Sequence, residues 1–401
     1  MRPLAAVFLA VAFFAPEARA DVLGDWTDIA LAACAKQPAF VQSRTLAMVH
    51  VAMFETLNAL DARYTPYKVK AVPSLGTSAE AAAAVAAHDV LTSLYPSQAA
   101  TLDASLDISL VRITDPGVRA SSVALGQRVA AGILALRASD GADAPNTWRP
   151  MTAPGVYIPT SLPTGSGWGK VTPWVLEKAD QFRPGPPPAL ASAEWARDYN
   201  EVKSLGAKDS PSRSAAQTET ALFWSTSTPS LYTAAVRAVM DVGGRSLVQN
   251  ARLLALASMA HADALIAAFD TKYAYNFWRP LTAIRDGDID QNDATAPDRS
   301  WEPLAEGSMN PDYPSSHCTG AGAVTAVLER EFGASARGFR LTSPAVPKVS
   351  HAFGRLSDLT NEVSNAGVWA GIHYRNSTVV GVAMGKKIGD YIWDKVLRPL
   401  K

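Results

Sequence analysis

The chain has 401 residues, 48% hydrophobic and 18% charged, with 37 basic and 37 acidic side chains. That composition is globular, and the length suits one large domain or two ordinary ones. An even balance with no block of like charges gives no reason to expect a nucleic-acid partner. Two cysteines, Cys34 and Cys318, permit at most one disulfide, and no Cys/His spacing resembles a zinc site.

Residues 1–20, MRPLAAVFLAVAFFAPEARA, have the pattern of an export signal. Arg2 opens it, Leu4 to Phe14 form a short apolar run, and Ala18-Arg19-Ala20 is a small-x-small cleavage site. The run is shorter than the roughly 20 residues that span a bilayer. The expectation is an exported protein, periplasmic or secreted, whose mature domain covers 21–401. Removal of the leader leaves 37 − 2 = 35 basic and 37 − 1 = 36 acidic residues, a net −1. No later segment is expected to be both long and apolar enough to cross a membrane.

The mature chain reads as helical almost throughout. Residues 40–60 place apolar side chains at Leu46, Val49, Ala52, Met53 and Leu57, a helical stripe. Residues 78–94 open on a serine cap with an early glutamate and continue on alanine, the strongest helix former. Further helices are predicted at about 117–138, 190–205, 213–227, 230–242, 246–270, 319–332, 355–366 and 377–396. With no sustained alternation of a strand, the fold class is all-α. His50, His88 and His261 fall within apolar helices and read as packed or surface-edge residues. His351 falls in a loop and is assigned no role. The cysteines are expected to be free, partly buried thiols, because a stapled scaffold uses more than one pair.

Between Asn146 and Pro188 the pattern breaks into proline, glycine and the tryptophans 148, 168 and 174. A loop of that length inside a compact domain is usually functional or a linker. Helix on both sides points to an excursion over one domain's surface, either walling an active-site entrance or wrapping plainly around it.

Three segments carry candidate chemistry. In DTKYAYNFWRPLTAIRDGD, Lys272 and Arg279 are seven residues apart, so a continuous helix would put them on one face, with Pro280 ending it. Two such cations are costly to bury without an anion; the plain alternative is a surface pair with stems over aromatics. In PDYPSSHCTG, Ser315, Ser316 and His317 form a polar turn before a helix beginning near Thr319. Helix-start N–H groups beside hydroxyls make an anion pocket, and a histidine there can exchange a proton near neutral pH. In AGVWAGIHYRNSTVVG, His373 precedes a long helix, and its nitrogen can attack phosphorus or ligate a metal centre. The ensemble reads as a site for a tetrahedral oxyanion. Lys272 and Arg279 would neutralise charge, while Ser315 and the Ser316 N–H would donate to equatorial oxygens. His317 would act as acid/base and His373 would bond to the central atom. No carboxylate cluster accompanies these residues, so a divalent metal is not required.

Lys272-x6-Arg279-Pro280, then Pro314-Ser315-Ser316-His317, then Gly371-Ile372-His373 resembles the signature of the superfamily joining vanadium-dependent haloperoxidases and type 2 phosphatidic acid phosphatases. The soluble bacterial haloperoxidase-like branch is the nearer resemblance, extending through AMVHVAMFETLNALD and FWSTSTPSLY. It implies a helical bundle in which His373 is the vanadium ligand or phosphorus nucleophile and His317 the acid/base. Lys272, Arg279, Ser315 and Ser316 would then cradle vanadate or phosphate. The implied small-molecule substrates are hydrogen peroxide with a halide, or a phosphomonoester. The signature commonly has glycine at Ser316 and S-R-x5-H at the third motif, where this chain has Ala366 and Gly367. A missing arginine there costs a charge-assisted contact of about 1.5–3 kcal/mol, about ten- to hundredfold in anion affinity. Arg375, two residues past the histidine, is expected to point elsewhere. Three readings follow: a haloperoxidase-like enzyme, a soluble acid phosphatase, and an impaired oxyanion-binding protein.

Overall fold

The computed structural model describes residues 21–226, 228–240, 244–334 and 338–400; the expected export signal lies outside them. Thirteen α-helices and one hairpin are found among the described residues. In chain order they are α1 (Val22–Cys34), α2 (Ala39–Leu60), α3 (Ala79–Leu94), α4 (Ala99–Leu110) and α5 (Pro116–Arg137), followed by the long excursion. Then come α6 (Ala193–Leu205), α7 (Ala215–Phe223), α8 (Thr228–Met240), α9 (Leu247–Tyr275), α10 (Pro280–Arg285) and α11 (Ser316–Phe332). The hairpin of β1 (Phe339–Ser343) and β2 (Val346–Phe353) separates these from α12 (Leu356–Trp369) and α13 (Arg375–Lys395).

The predicted helices are present, with α1, α4 and α10 in addition, and the all-α class holds. The hairpin differs from expectation: β1 alternates buried and exposed residues over only five positions, too few to stand out against helical neighbours. His351 is therefore a strand residue, not a loop residue. It stacks on Phe223 at 4.0 Å and bonds Glu362 at 2.6 Å.

Caps set several helix starts. Ser78, Ser192 and Ser246 each accept a first-turn N–H, satisfying a donor that the helix itself leaves free. α9 is the axis of the bundle, and it corrects the membrane expectation. Its 29 residues are long and apolar enough to cross a membrane, yet 89% of its apolar window is buried inside the protein. One buried apolar cluster extends from Val22 in α1 to Leu397 beyond α13, so α9 is covered from both halves of the chain.

α11 lies against α9 and α13, and α13 comes unusually close. A Cβ at Gly385 would collide with Thr319 O, and one at Gly381 would meet Ser315 O at 2.8 Å. Glycine at these positions lets backbone approach backbone, which brings the start of α13 to the start of α11. Cys34 and Cys318 are both free and buried; burial pushes each thiol up to about 12. His50 and His261 are packed in the core, as expected, with partners Thr27, Ser258 and Ser43. His88 bridges Asp89 and Asp103 at a helix edge.

Candidate oxyanion site

α9 ends one turn past Lys272. Asn276 takes the left-handed conformation, φ 50°, and its N–H closes on Lys272 O. Three residues on, Arg279 is the N-cap of α10 with Pro280 at its first position, the place where a missing N–H is harmless. Lys272 and Arg279 therefore do not share a face of one continuous helix, as their spacing suggested. They converge because the chain turns and both wrap one segment, Asn310 to Asp312. Lys272 Nζ donates to Pro311 O at 2.6 Å and Asp312 O at 2.9 Å. Arg279 donates through Nε to Asn310 O, through Nη2 to Asn310 Oδ1 and through Nη1 to Ile372 O.

Both cations are buried, Lys272 completely. Burial first, and then the neighbouring Arg279, hold the Lys272 ammonium well below its usual range, with Asp312 pulling the other way. Burial likewise lowers Arg279. Two positive groups against one carboxylate, Asp312, leave a net positive pocket that an anion would relieve.

Ser315 is the N-cap of α11, and its Oγ accepts Cys318 N–H at 3.3 Å. The helix thus begins at Ser316, not near Thr319, and His317 stands in its first turn. Serine at 316 has no positive φ to accommodate, so its side chain is tolerated while its N–H remains one of the helix's free donors. Tyr232 Oη donates to His317 O and fixes that turn. The His317 ring opens toward a cavity of about 440 Å³ and is enclosed elsewhere. Burial, then His373, Arg279, Lys272 and His261, lower it from 6.5 to about 3.

His373 follows Gly371, which takes φ 78° where an added Cβ would collide with Gly206 O and press on Pro303, so the position requires glycine. His373 Nδ1 lies 2.6 Å from the Asp312 carboxylate. Burial lowers His373 to about 4 although Asp312 opposes this, so near neutrality its one ring proton sits on Nδ1, donated to Asp312. Nε2 then carries a lone pair with no hydrogen bond to any described residue. Sequence reasoning missed Asp312 entirely. It stands in the same PDYPSSHC stretch, but its partner is sixty-one residues away, a pairing only the fold reveals.

The structure brings Ser315, His317 and His373 to one small pocket, with Lys272 and Arg279 close enough to depress both histidines and Ser316 beside His317 on the larger cavity's wall. Gly367 lines the same small pocket as Ser315, His317 and His373, together with Trp224, Val363, Ala366 and Ala370. None of the residues lining it carries a cation in place of the missing arginine. Arg375 is engaged elsewhere, with Glu201 at 2.6 Å and Asn365 at 2.8 Å.

The excursion walls the entrance. Thr164 N–H donates to Met309 O at 2.6 Å, Tyr273 Oη donates to Thr164 O, and Ser161 and Thr164 line the 440 Å³ cavity. Asp263, buried in α9, accepts the N–H groups of Trp174, Val175 and Leu176 and anchors the far end.

These residues fit a bound tetrahedral oxyanion. Lys272 has one donor left after its two carbonyl bonds and Arg279 has two, counted from their three and five protons. The Nε2 lone pair of His373 supplies a position for the central atom. No group of three or more His, Cys, Asp or Glu side chains able to hold a metal ion is present among the described residues.

Residues 252–401 match the family described as the VCPO second helical-bundle domain. A vanadium chloroperoxidase from Curvularia inaequalis is 28% identical over 194 residues, 41% of this chain and 32% of that relative. The chain thus aligns with about a third of that relative's length, 32%. A solved bacterial vanadium-dependent iodoperoxidase superposes with a TM-score of 0.82 at 24% identity, covering 95% of this chain and 98% of that one. The apo form of a bacterial vanadium-dependent chloroperoxidase superposes with a TM-score of 0.73 at 16% identity, covering 89% and 92%. The fold is that of the vanadium haloperoxidases. The match at residues 252–401, taken with this fold, supports the superfamily of vanadium-dependent haloperoxidases and type 2 phosphatidic acid phosphatases.

Proposed function

We propose that this chain is an exported vanadium-dependent haloperoxidase that oxidises halide with hydrogen peroxide. The observation that carries this reading is the Asp312–His373 pair, which leaves the Nε2 lone pair unshared on a ring that feels two buried cations, Lys272 and Arg279. A ring held by a carboxylate through its other nitrogen is an oriented and more basic ligand. His373 would hold vanadate, with Lys272, Arg279, Ser315 and the Ser316 N–H donating to its oxygens. When bound, vanadate supplies a Lewis-acidic centre that activates peroxide toward halide.

The remaining work falls to the protein. Lys272 and Arg279 balance negative charge where water is excluded, so each contact is stronger than in solvent. His317 is neutral near pH 7 in the anion-free site, and a bound anion would raise its proton affinity. It is therefore placed to take a proton from peroxide at Nε2 or Nδ1 and return it to a leaving oxygen. The 440 Å³ cavity gives small substrates a route to His317. The bacterial iodoperoxidase and chloroperoxidase whose structures match along nearly the whole chain support a haloperoxidase over a phosphatase.

The test is vanadate titration of purified protein with two assays run in parallel, halide oxidation and phosphomonoester hydrolysis. Vanadate should switch on halide oxidation. Hydrolysis that vanadate inhibits, with no oxidation, would replace this reading with a phosphatase. Neither activity, together with stabilisation by phosphate, would make the chain an oxyanion-binding protein.

A further inference from the structure

The chain has eight methionines. Met48, Met53, Met240, Met259 and Met384 are buried, and Met1 lies in the expected leader. Two remain open to solvent. Met151, in the excursion, is 65% exposed and lines neither the small pocket around His373 nor the 440 Å³ cavity. Met309 is half-buried and lines the 440 Å³ cavity together with His317. It also lines a smaller cavity that Arg279 borders.

Met309 is held in that wall from both sides. Its carbonyl accepts the Thr164 N–H at 2.6 Å and the Thr164 hydroxyl at 3.3 Å. Its Sδ meets Thr160 Oγ1 at 3.5 Å, at a contact open to solvent. The next residue, Asn310, accepts Arg279 Nε at 2.6 Å. The other sulfur groups that react fast with oxidants are the two cysteines, and both are buried. A thioether keeps an electron pair for an oxidant at any pH, because it carries no proton to lose.

We infer that Met309 is a modification site of the protein's own reaction, its sulfur converted to the sulfoxide by hypohalous acid leaving through the cavity. This rests on the haloperoxidase reading, which supplies the oxidant. The sulfur pair attacks the halogen, breaking the O–X bond and releasing hydroxide. Water then adds to the halosulfonium, halide departs and two protons are lost. Sulfur has given up two electrons, the halogen has become halide, and the sulfoxide oxygen comes from water. An oxidant released beside its target meets it before dilution into bulk, so position outweighs the greater exposure of Met151. The product is polar where the thioether was apolar, and sulfoxide reductases can reverse it.

The experiment reads sulfoxide at Met309 and Met151 by peptide mass spectrometry of the purified full-length protein. Hydrogen peroxide alone, without vanadate or halide, should oxidise Met151 ahead of Met309, in order of exposure. Vanadate and bromide added to the peroxide, with free methionine in the bulk to destroy escaped oxidant, should reverse that order. In water enriched in heavy oxygen, the Met309 sulfoxide formed during turnover should carry the label, whereas sulfoxide formed by unlabelled peroxide alone should not. Bromide oxidation is followed in a parallel sample without the scavenger. Bromide oxidation with Met151 still ahead of Met309, or with unlabelled sulfoxide at Met309, overturns the inference and leaves the function standing. Absence of bromide oxidation overturns the function, and with it the source of the oxidant.

Discussion

Gly367→Arg supplies the cation that the oxyanion site lacks, and the structure sets the size of both its effects. Gly367 lies in α12, near its end, without positive φ, so arginine meets no backbone penalty there. A helical Gly-to-Arg exchange instead gains several tenths of a kcal/mol in propensity. A Cβ at this position stands 3.3 Å from Thr378 Cγ2 and 3.4 Å from His373 Cδ2, so these neighbours must yield by tenths of an ångström. The guanidinium must then share the small pocket with Trp224, Ala366 and Ala370, an overpacking that costs about 1–3 kcal/mol. Against this, a new charge-assisted contact is worth about 1.5–3 kcal/mol to a bound anion. The anion-free variant should therefore melt lower than the parent by a few degrees. Its affinity for phosphate or vanadate should rise about ten- to hundredfold. Isothermal titration with phosphate, alongside melting curves with and without it, reads the two effects separately. A folded variant with unchanged phosphate affinity would refute the claim that this position lines the site.

Lys272→Met should weaken phosphate binding about ten- to hundredfold and leave Pro311 O and Asp312 O without their ammonium donor; titration calorimetry checks the first and a lowered melting temperature the second. Asp312→Asn should remove the acceptor that fixes the His373 tautomer. Vanadate affinity should fall about ten- to hundredfold, whereas phosphate, held by the cations without a bond to histidine, should bind no more weakly; equal losses for the two anions would contradict the assignment of Nε2. Stability should fall with acid. Burial lowers His50 and His261 from 6.5 to about 3, so below pH 6.5 the unfolded chain binds protons that the folded chain refuses. Their contribution is complete above pH 6.5 and declines as pH drops, by about 1.4 kcal/mol per unit for each. Urea unfolding at pH 6.5 and 5 should differ by about 3 kcal/mol from this pair alone; a flat profile would show that these rings are not held neutral.

The helices could be read from sequence where their signal is local. The stripe of Leu46, Val49 and Met53 and the cap at Ser78 each lie within one or two turns, and α2 and α3 stand where these residues put them. The three-part signature named Lys272, Arg279, Ser315, His317 and His373, because residue type and order survive in the sequence when distances do not. What failed depended on tertiary geometry. The seven-residue spacing suggested a shared helix face, but Asn276 turns the chain between the two cations. The polar turn looked longer than it is, because Ser315 already caps α11. Asp312 stood unremarked beside His317, since its partner His373 arrives only when the Gly381 and Gly385 contacts press α13 onto α11. The β1–β2 hairpin is too short to outweigh helical neighbours.

The central claim is that His373, held by Asp312, binds vanadate for peroxide-driven halide oxidation. The most direct measurement is bromide or iodide oxidation by the purified protein in hydrogen peroxide, with and without added vanadate, for the parent chain and for His373→Ala. The account predicts vanadate-dependent oxidation that saturates in vanadate and is lost in His373→Ala. Oxidation that ignores vanadate, or that survives in His373→Ala, would contradict it.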